Sequence, residues 1–322
     1  MRRVGIAAAA FLAAILAGRS LAQDYPARPV VWVAPSAGTA ADNSARAIAP
    51  ALAEQLGQPV VVDNRPGAGG IIATLAVATA KPDGYTILYA SSGPMATYPH
   101  TFRKLTYDPV ASFTPVHGIG AAPLVLAVNA ASPYRTLADL VAAARAAPDR
   151  LNYGTVGISS AQHLTTVLLM NDAGISMTHI PYKTTSAVVT DLLGGSIDMM
   201  FDVANVLRPQ IEAGRLRALA VSSTARLRRL PEVPTFAEAG FPAVVFTAWA
   251  VAMAPAGTPP AVVERLSAAF DRALRDPRVV AYHENLGMTE MTRMGPAATR
   301  DFIAAESARM KILVDQAGIT AE

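Results

Sequence analysis

The sequence predicts an α/β protein, and three observations carry that prediction. Short apolar runs alternate along the chain with segments of helical periodicity, the pattern of a mainly parallel sheet covered by helices. Several runs end in loops of Gly, Ala, Ser and Thr that open the next helix. Near residue 123 the pattern restarts, so the 322 residues divide into two units, and a composition of 52% hydrophobic and 16% charged residues supports a sizeable core.

The first unit reads as strand Val30 to Ala34, loop Pro35 to Ala41, and a helix whose Ala45, Ile48, Ala49, Leu52, Ala53 and Leu56 form one apolar face. Asp42 is the expected N-cap and Gly57 the stop. Val60 to Val62 follow, then the loop Asn64 to Gly70 and a helix ending before Lys81-Pro82-Asp83-Gly84, whose turn feeds strand Tyr85 to Ala90. The second unit opens with strand Leu124 to Val128 and the capping box Thr136 to Asp139, whose helix ends near Pro148. It continues through strand Leu151 to Tyr153, a helix through Met170, strand Met177 to Ile180, a helix closed by Gly194-Gly195, strand Ile197 to Phe201, a helix to Gly214 and strand Leu216 to Val221. Strand Thr247 to Met253 leads to a helix with Thr258 as expected N-cap and Pro259 at its first position, echoing the Leu126 to Thr136 arrangement. Both strands are expected to cross between lobes, with residues 23–122 and 246–322 forming lobe 1 and residues 123–245 lobe 2. Two crossings make a hinge.

Arg2 and Arg3 precede the uncharged run Val4 to Gly18, and Ser20-Leu21-Ala22 has the small residues of a cleavage site, so residues 1–22 are expected to be a secretory signal. Fifteen residues are too few to span a bilayer core of about 30 Å as a helix. Loss of Arg2, Arg3 and Arg19 from the 27 basic residues leaves 24 against 24 acidic ones. The basic run Arg226-Leu227-Arg228-Arg229 is brief and reads as a solvated loop, so no nucleic-acid partner is expected. The absence of cysteine removes disulfides, thiolate nucleophiles and Cys-based metal sites, and with an export signal it is compatible with a periplasmic location.

Three loops at the ends of expected parallel strands stand where open α/β sheets bind ligands: Ala34 to Asp42, Ser91-Ser92-Gly93, and Gly154 to Ser160 with His163 one turn on. Small residues let a ligand approach the backbone, so N–H groups at a helix start can donate to an anion. The hydroxyls of Thr39, Ser91, Ser92, Ser159 and Ser160 add donors. One macrodipole contributes only about 0.3–1 kcal/mol, so several helix starts must converge. The three loops carry no Lys or Arg, which suits reversible capture of a carboxylate without a deep ion pair.

Enzyme readings are weaker. Ser160, His163 and Asp202 contain the residue types of a serine-hydrolase triad, which keeps a periplasmic hydrolase as an alternative, but no G-x-S-x-G elbow is present. The five histidines include no H-x-x-x-H or H-E-x-x-H pair, so neither a metal nor another cofactor is expected. Gly67-Ala68-Gly69-Gly70 begins like a dinucleotide fingerprint, yet Ile72 occupies the place of its third glycine.

These loops belong to a larger pattern. Asp63-Asn64-Arg65-Pro66-Gly67-Ala68-Gly69-Gly70 followed by Pro82-Asp83-Gly84-Tyr85-Thr86, with Tyr107-Asp108-Pro109, Leu151-Asn152-Tyr153-Gly154, His179-Ile180-Pro181-Tyr182-Lys183, Asp191-Leu192-Leu193-Gly194-Gly195 and Ala254-Pro255-Ala256-Gly257-Thr258-Pro259, resembles the Bug receptors. These are the substrate-binding proteins of tripartite tricarboxylate transporters, and the likeness runs from Tyr25 to Ile319.

The resemblance implies a type II periplasmic binding protein, two α/β lobes joined by two crossing strands that close on a small organic carboxylate and hand it to membrane permease subunits; a monomer without cofactor is expected. A carboxylate sensor that addresses a signalling protein is the alternative partner arrangement. The ligand residues it implies are Gly38, Thr39, Ala40, Ala41 and Asp42 in the first loop, and Thr155, Gly157, Ser159, Ser160 and His163 in the other lobe, with Ser91, Ser92 and Asp202 nearby. The chain departs from the family in its first loop, where Ala34-Pro35 and Gly38-Thr39 stand in place of a Pro-aromatic pair and a Gly-Gly pair.

Overall fold

The computed structural model describes residues 25–158, 160–316 and 318–319; the expected signal segment and Ser159 lie outside the described residues. Strand β1 (Val30–Ala34) feeds helix α1 (Ala40–Leu56), whose Ile48 and Leu52 are fully buried beside Trp32. The cap differs from expectation. Thr39, extended at φ −77°, accepts the Asp42 N–H on its hydroxyl at 3.3 Å, so Asp42 lies inside the first turn, where the helix dipole favours its charge. Gly57 closes the helix in the left-handed region at φ 74°, as expected.

Strand β2 (Val60–Asn64), helix α2 (Ile71–Ala78) and strand β3 (Thr86–Ser91) complete a parallel set ordered β2-β1-β3. After the short helix α3 (Tyr98–Thr101) comes β4 (Phe113–Asn129), a single strand of 17 residues, where only Leu124 to Val128 was expected. There follow α4 (Leu137–Ala146), β5 (Asn152–Thr155), α5 (Ala161–Ala173), β6 (Thr178–Pro181), α6 (Thr185–Gly194), β7 (Met199–Val203), α7 (Ala204–Glu212) and β8 (Leu216–Val221). The chain ends through β9 (Thr247–Pro255), α8 (Pro260–Ala273), α9 (Pro277–Leu286), β10 (Thr289–Glu290) and α10 (Pro296–Gln316). The Thr136–Asp139 capping box forms with both reciprocal hydrogen bonds. Thr258 does not cap α8: its hydroxyl donates to the Pro255 carbonyl at 2.8 Å, and the helix begins one residue later, with Pro259 as N-cap and Pro260 at the first position.

The sheet runs β2-β1-β3-β9-β4-β7-β5-β6, with β8 and β10 also paired to β4. Its flanks are parallel, and its centre is antiparallel because β9 and β4 run against each other and against their neighbours. The Phe113 to Pro123 half of β4 pairs with β9, and the Leu124 to Asn129 half with β7 and β8. Strand β4 therefore runs from one α/β set into the other. Buried Ser222 stands at that transition. Its hydroxyl accepts the Leu124 N–H at 2.8 Å and donates to the Phe246 carbonyl at 2.6 Å, tying the outgoing strand to the residue that precedes β9. Separate apolar clusters pack the two sets: Trp32, Ile48 and Phe270 in one, Val188, Leu192 and Leu207 in the other. Each such fully buried side chain contributes about 1.5–3 kcal/mol.

Candidate ligand site

A cavity of about 200 Å3 opens between the two sets. Ala40 and Ala41 from the start of α1, Ser91 from the end of β3, and Val203 and Asn205 from the start of α7 line it. The remaining walls are Tyr89, Gly120, Ala122, Ala248, Trp249, Ala250, Leu286 and Met288. None of these residues is Lys, Arg, His, Asp or Glu.

The first loop is built to present two backbone donors. The Gly38 N–H, expected to face a ligand, instead donates to Asp42 Oδ2 at 2.8 Å, and the Asp42 N–H is taken by Thr39. Asp42 Oδ1 accepts from Arg46 Nε at 2.8 Å and Asn64 Nδ2 at 3.0 Å. Burial works to raise the Asp42 pKa, but these donors outweigh it and hold the carboxyl below its usual range. Asp42 thus fastens the loop from behind. The N–H groups of Ala40 and Ala41 make no hydrogen bond within the described chain, as the first turn of a helix dictates.

The second helix start comes from α7. Val203 supplies no side-chain cap, and the N–H groups of Ala204 and Asn205 likewise have no partner within the described chain. Beside it, buried Asp202 accepts from its neighbour Val203 N–H at 2.8 Å and from Gln162 Nε2 at 2.7 Å. The other end of the Gln162 amide accepts the Val156 N–H at 2.9 Å. Gln162 therefore couples Val156, just beyond β5, to the strand end that opens α7. Burial pushes the Asp202 carboxyl up to about 6 despite both donors.

Thr155, Gly157, Ser160 and His163 are not among the residues lining the cavity. The Thr155 hydroxyl lies 2.6 Å from His179 Nε2 and also accepts the Gly157 N–H. Ser160 Oγ accepts the His163 backbone N–H at 3.2 Å as the cap of α5. The His163 ring packs against Tyr153 and His179, with centroids 6.2 and 4.7 Å away, and burial together with His179 lowers its pKa to about 4. Ser160 Oγ meets only the His163 backbone N–H, the His163 Nδ1 has no hydrogen-bond partner within the described chain, and Asp202 is taken by Gln162 and Val203, so the three side chains form no hydrogen-bonded triad. Ser92 is buried without a capping hydrogen bond, leaving Ser91 as the hydroxyl that reaches the cavity from that loop.

Sequence reasoning missed Asn205, Val203, Tyr89, Leu286 and Met288 as lining residues and Gln162 as a coupler. The signal for Asn205 was present: β7 ends and a helix opens there, as in the chosen loops. Leu286 and Met288 flank Gly287 after α9 and are brought in only by the tertiary fold. A larger hollow of about 410 Å3, bounded by Ser223 to Arg228 and Glu284 to Glu290, has its guanidinium groups already paired, Arg228 with Glu284 at 2.7 Å and Arg226 with Glu238 at 2.8 Å. Among the described residues no helix is long and apolar enough to cross a membrane.

Two α/β lobes joined through β4 and β9, with helix starts from each facing a shared cavity, define a periplasmic binding protein fold. The family model described as "Tripartite tricarboxylate transporter family receptor" matches residues 44–319, and the chain belongs to that family. It is similar to the solved periplasmic binding protein BugD, at 33% identity over 92% of this chain and 100% of that one, with a TM-score of 0.84. An R. palustris protein solved with adipate is 34% identical over 93% and 100% of the two chains, TM-score 0.85. MatC from Rhodopseudomonas palustris, solved with bound malate, is 31% identical over 90% and 100%, TM-score 0.80.

Proposed function

We propose that this chain is an exported receptor that captures a small organic carboxylate between its lobes in the periplasm and delivers it to the membrane subunits of a tripartite transporter. One observation supports the reading: residues at the starts of α1 and α7, Ala40 and Ala41 on one side and Val203 and Asn205 on the other, line one cavity whose lining holds no ionised side chain, and the Ala40, Ala41 and Asn205 N–H groups have no partner within the described chain. Dipoles and hydrogen bonds then hold the acid without a buried ion pair, which keeps release fast. The adipate and malate in related structures support the ligand class.

Closure about the β4 and β9 crossings brings the lobes together on the acid, and Gln162 keeps Val156 and Asp202 moving as one within the second lobe. The closed form is the one that docks on the permease. Calorimetry of residues 23–322, unfolded and refolded to remove carried-over ligand, against a panel of mono-, di- and tricarboxylic acids tests the reading. Saturable binding of an acid is the expected result; no heat across the panel rejects it.

A further inference from the structure

We infer that an ion pair behind the hinge, Arg228 with Glu284, is a latch that opposes closure of the lobes and so sets the affinity for the acid from outside the ligand cavity. The inference rests on the carboxylate-receptor reading and deepens it. Strands β4 and β9 form an antiparallel ribbon between the lobes, in which Gly120 pairs with Ala250, Ala122 with Ala248 and Pro123 with Thr247. Directly paired residues share a face, and successive residues point to opposite faces. Gly120, Ala122, Ala248 and Ala250 line the ligand cavity, whereas Pro123 and Thr247, with Ala121, line the larger hollow. Of the ribbon residues that line the cavity, Trp249 alone departs from this alternation. The hollow therefore lies on the opposite face of the ribbon from the cavity.

Both lobes wall the hollow. Arg228 comes from the loop after β8, which Leu227 and Leu230 anchor in the apolar cluster of Val188 and Leu207. Glu284 comes from α9, which Val279 anchors in the cluster of Trp32 and Phe270. Arg228 Nη1 donates to Glu284 Oε1 at 2.7 Å, and the neighbouring Arg229 Nη2 donates to Asn285 Oδ1 at 2.6 Å. Just beyond, α9 stops at Gly287, so close to the second lobe that a Cβ there would stand 3.4 Å from both Leu227 methyl groups and 3.5 Å from Ala204. That contact is the fulcrum. Turning the lobes about the ribbon to narrow the cavity widens the opposite face, and the Arg228–Glu284 pair is drawn apart. The latch weakens apparent affinity, because affinity scales with the fraction of molecules able to close.

The experiment titrates adipate, malate, citrate and hexanoate calorimetrically into the refolded wild type, Arg228→Glu, Glu284→Arg and the double variant Arg228→Glu/Glu284→Arg. Both side chains are exposed, so the pair contributes modestly to stability and its reversal leaves the fold intact. Each single reversal replaces attraction by repulsion and is expected to bind the acid that the wild type binds about fivefold tighter. The double variant restores the pair and is expected to return to within about twofold of the wild type. Single variants that bind no more tightly than the wild type, or a double variant that stays as tight as they are, overturn the inference while leaving the receptor reading intact. A lowered melting temperature of the unliganded single variants at unchanged affinity marks a purely structural contact and likewise overturns it. Absence of binding by every acid in all four proteins rejects the latch and the receptor reading together.

Discussion

Ser222 holds Leu124 in place: its buried hydroxyl accepts the Leu124 N–H at 2.8 Å where β4 leaves β9 for β8, and donates a hydrogen bond to the Phe246 carbonyl. The reciprocal backbone pair, Ser222 N–H to Leu124 O and Phe246 N–H to Ser222 O, makes this one node between the two crossing segments. In Ser222→Ala the Leu124 N–H is left buried without that acceptor, a loss of about 1–3 kcal/mol. Denaturant titration of the refolded chain is expected to show the midpoint falling accordingly. A variant as stable as the wild type shows that the node is dispensable.

Ala40→Pro separates binding from folding. Proline is favoured at the first position of a helix, and Thr39, at φ −77° and ψ 165°, already has the extended backbone a following proline requires. The substitution deletes the Ala40 N–H and nothing else in the loop's network. We expect acid affinity to fall about fivefold to tenfold, the loss of one hydrogen bond to a charged group, with the melting temperature of the unliganded protein retained. Thr39→Ala and Ser160→Ala behave in the opposite way. Both hydroxyls are helix caps, so each change is expected to lower unliganded stability by about 1 kcal/mol.

Local chemistry explains which parts of this architecture were legible in the sequence. The Thr136–Asp139 box, the Gly57 stop and the strand-to-helix loops could be read because each is set by residues within one or two turns. The first half of β4 could not. Pro115, Gly118 and Gly120 interrupt its alternation, and its pairing with β9 shifts between Pro115 and His117 and again between Gly118 and Gly120. For the site, Ala40, Ala41 and Ser91 were legible as small residues at strand ends. Leu286 and Met288 were not, because they reach the cavity only when α9 and β10 pack against the sheet. The part Asn64 plays was visible only as a motif, until its amide was found on Asp42.

That contact gives a third expectation. Asn64→Ala removes a hydrogen bond to a carboxylate that also anchors Gly38 and Arg46, so the first loop loses one of its fixed points. Hydrogen bonds to charged groups contribute about 1.5–3 kcal/mol when buried. Arg46 still compensates the charge from its half-exposed position, which places the expected loss at about 1–2 kcal/mol. Thermal unfolding with and without saturating acid should show both curves lowered, and acid affinity weakened through the loosened loop. Unaltered affinity in the presence of lowered stability separates the Asn64 contact from the donors at Ala40 and Ala41.

Acid stability follows from buried groups on either side of Gln162. His163 is held near 4 in the folded chain, chiefly by burial, against an ordinary 6.5, so between those pH values the unfolded chain binds the extra proton. Stability from His163 is present above 6.5 and is lost as pH falls toward 4. Asp202, raised by burial to about 6 from 3.8, acts with the opposite sign: the folded chain binds its proton first, so its contribution grows as pH falls from 6 toward 4. Each shift corresponds to about 3 kcal/mol over its window. In the wild type these two slopes largely offset each other. His283, also lowered to about 4 by burial, leaves a net loss of stability on acidification. Asp202→Asn removes the compensating slope, and its denaturant midpoint is expected to fall more steeply than the wild type's between pH 6 and 4. His163→Gln is expected to fall less steeply over the same interval. Parallel pH profiles for the three proteins contradict both assignments.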